Sequence, residues 1–140
     1  MSGFLLDTNV LSELIKPKPE AKVVQWIEGT NESSLFLSVL TLGEIRNGVA
    51  RLRQGARRGR LEAWLRVDLR GRFQDRILPI DEAIAERWGA ISALAAAQGK
   101  PLPVIDGLLA ATALHHDLTL ATRNASDVAA TGVSILNPWV

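Results

Sequence analysis

Five short apolar runs punctuate the chain, each bounded by polar or turn-forming residues and each separated from the next by a stretch with helical periodicity. They are Gly3–Leu6, Leu35–Leu40, Ile77–Ile80, Leu118–Ala121 and Val133–Leu136. Runs of four to six residues are too short for buried helices and suit strands covered on both faces. Strands that alternate with helices imply parallel pairing with right-handed crossovers. The expected fold is therefore α/β: a short, mostly parallel central sheet with helices on both faces, in three layers. A single domain over 1–140 fits the length.

The intervening segments carry the helix signals. Helix one should stop near Lys16, because Pro17 and Pro19 cannot continue it. A second helix follows from about Glu20 to Gly29. Thr41-Leu42-Gly43-Glu44 has the spacing of a capping box, which puts Glu44 in the first turn of a third helix. Glycines 55 and 59 mark a helix–helix connection, and Leu61, Trp64, Leu65 and Leu69 mark the helix after it. Pro79 assigns Ile77–Ile80 to the sheet edge. Asp81 opens a long helix with Ile84, Trp88, Ile91 and Leu94 on one side and Gly99 at its end. Pro103 starts a helix that is apolar almost all round and carries Asp106 near its start.

Composition narrows the function classes. No cysteine is present, which excludes disulfides, thiolate zinc sites and a cysteine nucleophile. No apolar run approaches the ~20 residues of a membrane span. Neither a secretory leader nor a membrane association is expected, and a cytoplasmic location fits. Net charge is +1, but segment 46–76 holds ten arginines against three acids, leaving six basic and twelve acidic residues elsewhere. Such a segment is either a solvated helical face or a surface for a polyanion.

Four acids share one kind of position: Asp7, Glu44, Asp106 and Asp127 each sit where a strand gives way to a helix or in a helix's opening turn, on the sheet's C-terminal rim. Each has a purely structural account as a cap or as a partner of the helix dipole. Asp106 fits that account least, since a carboxylate on a largely buried helix needs a partner. If the four converge, their repulsion calls for a cation, and an oxygen-only ligand set selects Mg²⁺ or Mn²⁺ over zinc. Such ions lower the pKa of bound water and clamp phosphate oxygens, so the expected chemistry is metal-assisted phosphodiester hydrolysis with the activated water as nucleophile.

Asp7-Thr8-Asn9-Val10-Leu11-Ser12-Glu13, Ser38–Ile45 with Gly48, Pro103–Ala113 and Leu120–Asp127, taken in order, closely resemble the PIN-domain ribonucleases, specifically VapC/FitB-type toxins of type II toxin–antitoxin systems. The resemblance spans nearly the whole chain. It implies a PIN-like α/β/α fold, a homodimer that can enter a larger toxin–antitoxin assembly, Mg²⁺- or Mn²⁺-dependent cleavage of RNA, and a small cognate antitoxin that blocks the site. Asp7, Glu44 and Asp106 match the family's three principal acids as catalytic and metal-holding residues, and Asp127 matches the fourth, more variable one. Thr8, Asn9, Thr122 and Asn124 match supporting polar positions. One departure is Val128, where the related pattern often has phenylalanine. Arg46, Arg53 and Arg123 are the candidates for RNA contact. His115 and His116 read as a surface helix end, and the tryptophans as core.

Two other readings stand beside this one. A catalytically weak module of the same fold, regulating through a partner protein or nucleic acid, would be expected to lack a principal acid, and none is missing. A phosphatase using Asp7 as nucleophile would want a second aspartate where Thr8 and Asn9 stand.

Overall fold

The computed structural model describes residues 3–140. Its centre is a five-stranded, wholly parallel sheet: β1 (Phe4–Leu6), β2 (Leu35–Ser38), β3 (Ile77–Leu78), β4 (Thr119–Ala121) and β5 (Ile135–Leu136). The strands lie in the order β3-β2-β1-β4-β5. Leu5 and Leu6 show why the runs are continuously apolar. Side chains alternate across a strand, so Leu6 enters a cluster with Val10, Leu11, Leu35, Leu37, Leu65 and Phe73, while Leu5 enters another with Leu109, Ala110, Ala113, Leu118 and Leu120. Both faces are covered, which gives the three layers.

The helices are α1 (Thr8–Leu14), α2 (Ala21–Gly29), α3 (Val39–Ala50), α4 (Ala56–Ala63), α5 (Arg70–Arg72), α6 (Glu82–Ala97), α7 (Val104–His115) and α8 (Ala125–Val128). A π-helical turn, Trp64–Leu69, joins α4 to α5 and buries Leu65 and Leu69. Asp81 caps α6 by accepting from the Ile84 amide at 2.9 Å, and Gly99, at φ +76°, ends it in the left-handed conformation. As expected, β3 forms the edge, stopping before Pro79. Among the described residues no helix is long and apolar enough to cross a membrane.

Three expectations need correction. The strand read as Leu35–Leu40 stops at Ser38, whose hydroxyl accepts from the Leu40 amide at 3.0 Å and caps α3. The helix thus begins three residues before the expected box, Thr41 is buried within it, and Glu44 lies in its second turn. Gly59 belongs to α4 rather than to the connection before it. Leu94, expected on one side of α6 with Ile84, Trp88 and Ile91, is 63% exposed, whereas Ile84 and Ala95 are buried.

Several arginines of segment 46–76 are structural. Arg72 makes a two-pronged pair with Glu32 at 2.9 Å for each bond, and Arg76 donates to the carbonyls of Glu32 and Leu35 at 2.6 and 2.7 Å. These bonds tie the end of the helical segment to the β2 edge, with the fully buried Phe73 beneath.

Candidate active site

The sheet order reverses direction at β1: the chain builds outward through β2 and β3, then returns to β4 on the other side. Crevices at such switch points, beyond the carboxyl ends of the strands, are where open α/β sheets hold ligands. Asp7 follows β1 and Thr122 follows β4, so the two straddle this crevice. The Asp7 amide donates to Ala121 O at 2.9 Å and fixes the junction.

Asp7 is buried, and both its oxygens are held. Oδ1 accepts from the Thr8 amide at 2.7 Å; Oδ2 accepts from Thr122 Oγ1 at 2.7 Å and from Asn9 Nδ2 at 3.3 Å. Asp7 is thus the N-cap of α1 as well as a member of the rim cluster. Burial pushes its carboxyl above the ordinary value of 3.8, against the three hydrogen bonds that favour the charged form. The Thr122 hydroxyl also accepts from the Asn124 amide at 3.0 Å, and the Arg123 amide donates to Asn9 Oδ1 at 3.4 Å. The supporting polar residues expected from the sequence therefore form one connected shell around Asp7, with Asn124 contributing its backbone rather than its side chain.

Glu44 reaches the same shell from α3. Thr8 Oγ1 gives its proton to Glu44 Oε1 at 2.5 Å and lies 3.3 Å from Thr41 Oγ1, leaving that hydroxyl free to donate in return. Thr41, expected from its spacing to Glu44 to be a helix cap, is instead a buried member of this shell.

Asp106 is half-buried in the first turn of α7, and Asp127 is exposed in α8. Neither carboxylate has a hydrogen-bond or ion-pair partner among the described residues. Burial first, then the charges of Asp7, Asp127 and Glu44, push Asp106 above its ordinary value. All four acids therefore share one field. Gly107 lets α7 approach α6 at this turn: a Cβ there would meet the Trp88 ring at 3.0 Å.

Among the described residues, no three His, Asp or Glu side chains stand in an arrangement that could enclose a metal ion by themselves. The donor set is nonetheless all oxygen, and Asp106 is repelled by its neighbours without a basic partner. That combination fits a hard divalent ion that keeps part of its own water shell, the usual habit of Mg²⁺.

Of the candidate RNA contacts, Arg46 pairs with Glu62 at 3.1 Å and borders an open groove of about 710 Å³ floored by Val39, Leu42 and Leu65 and rimmed by Arg66 and Arg70. Gly43, next to Glu44, lines the same groove. Arg53 is exposed between α3 and α4, without an ion pair among the described residues. Arg123 lies over the Trp139 ring, 5.0 Å from its centroid. His115 ends α7 and His116 caps it, as the helix-end reading expects, and burial lowers the pKa of His116. Trp26 and Trp64 pack on the core.

Glu13, not expected from the sequence as a buried acid, is 5% exposed and holds Lys16 Nζ at 2.7 Å and the Glu20 amide at 2.9 Å. The Lys16 spacing at i+3 was its one sequence signal.

The PIN domain family matches residues 4–130. Toxin FitB of Neisseria gonorrhoeae is 40% identical over 135 residues, covering 96% of this chain and 97% of its own. VapC ribonuclease Y4jK of Sinorhizobium fredii is 37% identical, covering 96% of each. A solved structure of FitAB bound to the IR36 DNA fragment superposes with a TM-score of 0.94 at 38% identity, over 98% of this chain and 96% of that one. The fold, the rim acids and these likenesses agree: the chain belongs to the PIN-domain family, among the FitB/VapC-type toxins.

Proposed function

We propose that this protein is a Mg²⁺- or Mn²⁺-dependent endoribonuclease toxin, with Asp7, Glu44, Asp106 and Asp127 as its catalytic and metal-holding acids. The observation that carries the reading is Asp106: a half-buried carboxylate with no hydrogen-bond or ion-pair partner among the described residues, raised by burial and then by three other acids on one rim. That arrangement is unfavourable unless a cation neutralises it. The naming of a full-length relative as a VapC ribonuclease supports RNA as substrate.

When bound, the ion would supply charge neutralisation at phosphate oxygens and a water acidic enough to attack at neutral pH. The protein's own groups set the geometry for this. Thr8, Asn9 and Thr122 hold both oxygens of Asp7, and Thr8 aims Glu44, so two acids are oriented before any ligand arrives. Asp106 has unused acceptor capacity for a ligand or a proton. Arg46, Arg66 and Arg70 line the groove beside Glu44 and supply positive charge for phosphates flanking the cut. A toxin acting on RNA in the cytoplasm must be restrained in the cell that makes it, so we further propose a small antitoxin partner and a homodimeric toxin. The FitB name and the FitAB assembly on DNA support a two-component system.

The test is expression with and without the neighbouring small open reading frame, followed by mapping of RNA 5′ ends. New ends in the toxin-only cells that vanish in Asp7→Asn support the reading. Equal cleavage by Asp7→Asn, or by the wild type in excess EDTA, would overturn it, and absence of cleavage would favour the binding-module alternative.

A further inference from the structure

After β5 the chain stays on the rim that carries Asp7. Leu136 pairs with Ala121, and Thr122 donates its amide to Leu136 O at 3.0 Å, so residues 137–139 emerge beside the Thr122–Asn124 loop. Asn137 Oδ1 accepts from the Trp139 amide at 2.9 Å and turns the chain back. The indole then packs on the cluster containing Leu6, Val10 and Leu11 and offers its face to the Arg123 guanidinium, 5.0 Å away. Glu13, buried on α1, is held below the usual carboxylate range chiefly by Lys16, with Arg123 also contributing. Arg123 is thus held by an aromatic face from the β5 side and attracted to a carboxylate from the α1 side.

We propose that Trp139 is a positioning residue for Asp7: by holding Arg123 against α1 it keeps Thr122 and Asn9 within hydrogen-bonding reach of the Asp7 carboxylate. Arg123 lies between these two partners. Its amide donates to Asn9, and Thr122 precedes it in the chain. The groups that lower Asp7 are Thr122, Thr8 and Asn9; Arg123 is not among them. Its influence on the acid therefore runs through the loop geometry rather than through its charge. A cation over an aromatic face is attracted by the ring quadrupole. Groups that orient a ligating carboxylate matter to the ion about as much as 10–100-fold in affinity. The effects on Mn²⁺ binding and cleavage rest on the proposed nuclease function, whereas the ordering of the Thr122–Asn124 loop does not.

Trp139→Ala, Trp139→Phe and Arg123→Gln test this with three readouts: amide hydrogen exchange over residues 119–124 in EDTA, calorimetric Mn²⁺ binding without RNA, and steady-state RNA cleavage. Trp139→Ala and Arg123→Gln should speed exchange at Thr122–Asn124 relative to α6. They should also weaken Mn²⁺ binding about tenfold and lower kcat at sub-saturating metal, with KM for RNA unchanged. Trp139→Phe, which keeps a ring face, should recover most of each. Should Trp139→Ala fail to fold, the exposed Arg123→Gln carries the same test. Unchanged exchange and Mn²⁺ affinity in the folded variants would overturn the proposal, as would an Arg123→Gln variant that only raises KM, since Arg123 would then be a direct substrate contact. Absence of cleavage by the wild type would strike the proposed function and leave the exchange comparison to decide this one.

Discussion

Thr122 Oγ1 donates to Asp7 Oδ2 at 2.7 Å, a buried bond between residues 115 positions apart in the chain. It crosses the point where the sheet reverses direction and fixes the acid that follows β1 from the end of β4. Thr122→Val keeps the shape and removes the donor. The expected cost is about 1.5–3 kcal/mol, as for other hydrogen bonds to charged groups, together with a roughly 10–100-fold loss in apparent Mn²⁺ affinity. Thr122→Ser should retain both. Chemical denaturation and metal-dependent cleavage check the two effects separately.

Asp106 should make the metal-free protein sensitive to rising pH. Its folded pKa is raised, first by burial and then by Asp7, Asp127 and Glu44. A raised acid contributes stability that is fully present below its ordinary value of 3.8 and is lost as pH climbs through the folded value. In EDTA, Asp106→Asn should therefore melt close to the wild type near pH 3.8 and increasingly above it toward pH 7. Melting curves across that range give the result directly, and an excess that shrinks with pH would contradict the sign.

Gly107→Ala should disturb α7 at the residue after Asp106. The added Cβ meets the Trp88 ring at 3.0 Å, so either the ring or the helix must move. Overpacking of this kind costs about 1–3 kcal/mol. Because Asp106 rides on the displaced turn, cleavage should fall by more than the folded fraction does. Pairing the variant with Trp88→Leu should restore part of the loss.

The arginine-rich segment should divide into two classes. Arg76 donates to three backbone carbonyls and its side chain is 17% exposed, so Arg76→Ala should cost about 1.5–3 kcal/mol while the folded fraction keeps its activity. Arg66→Ala, on the open groove, should leave the unfolding midpoint unchanged and raise KM for RNA.

Particular residues show what was legible in the sequence. Asp81 and Gly99 bracket α6 because an N-cap and a left-handed stop are local requirements. Pro79 marks the edge because a missing amide excludes a central ladder. Asp7, Asp106 and Asp127 were legible because a carboxylate just past a strand or in a helix's first turn is a local pattern, whereas Glu44 lies one turn deeper in α3 than that pattern places it. Ser38 was not: Val39 and Leu40 extend an apolar run as readily in a strand as in a helix's first turn, so periodicity could not place the boundary. Glu13 was hidden because the Glu20 amide that helps hold it depends on how the chain turns after α1. The bond from Thr122 and the Arg123–Trp139 contact depend on strand order, which no local pattern encodes.

If the rim acids act by holding a divalent ion, Mn²⁺ titration of RNA cleavage by the wild type and Asp106→Asn at pH 7 will show it. Cleavage by the wild type should rise from zero to saturation with Mn²⁺, while a folded Asp106→Asn stays inactive or needs at least tenfold more metal. Wild-type cleavage that is independent of Mn²⁺ and persists in EDTA, or an Asp106→Asn curve that overlays the wild type, would contradict it.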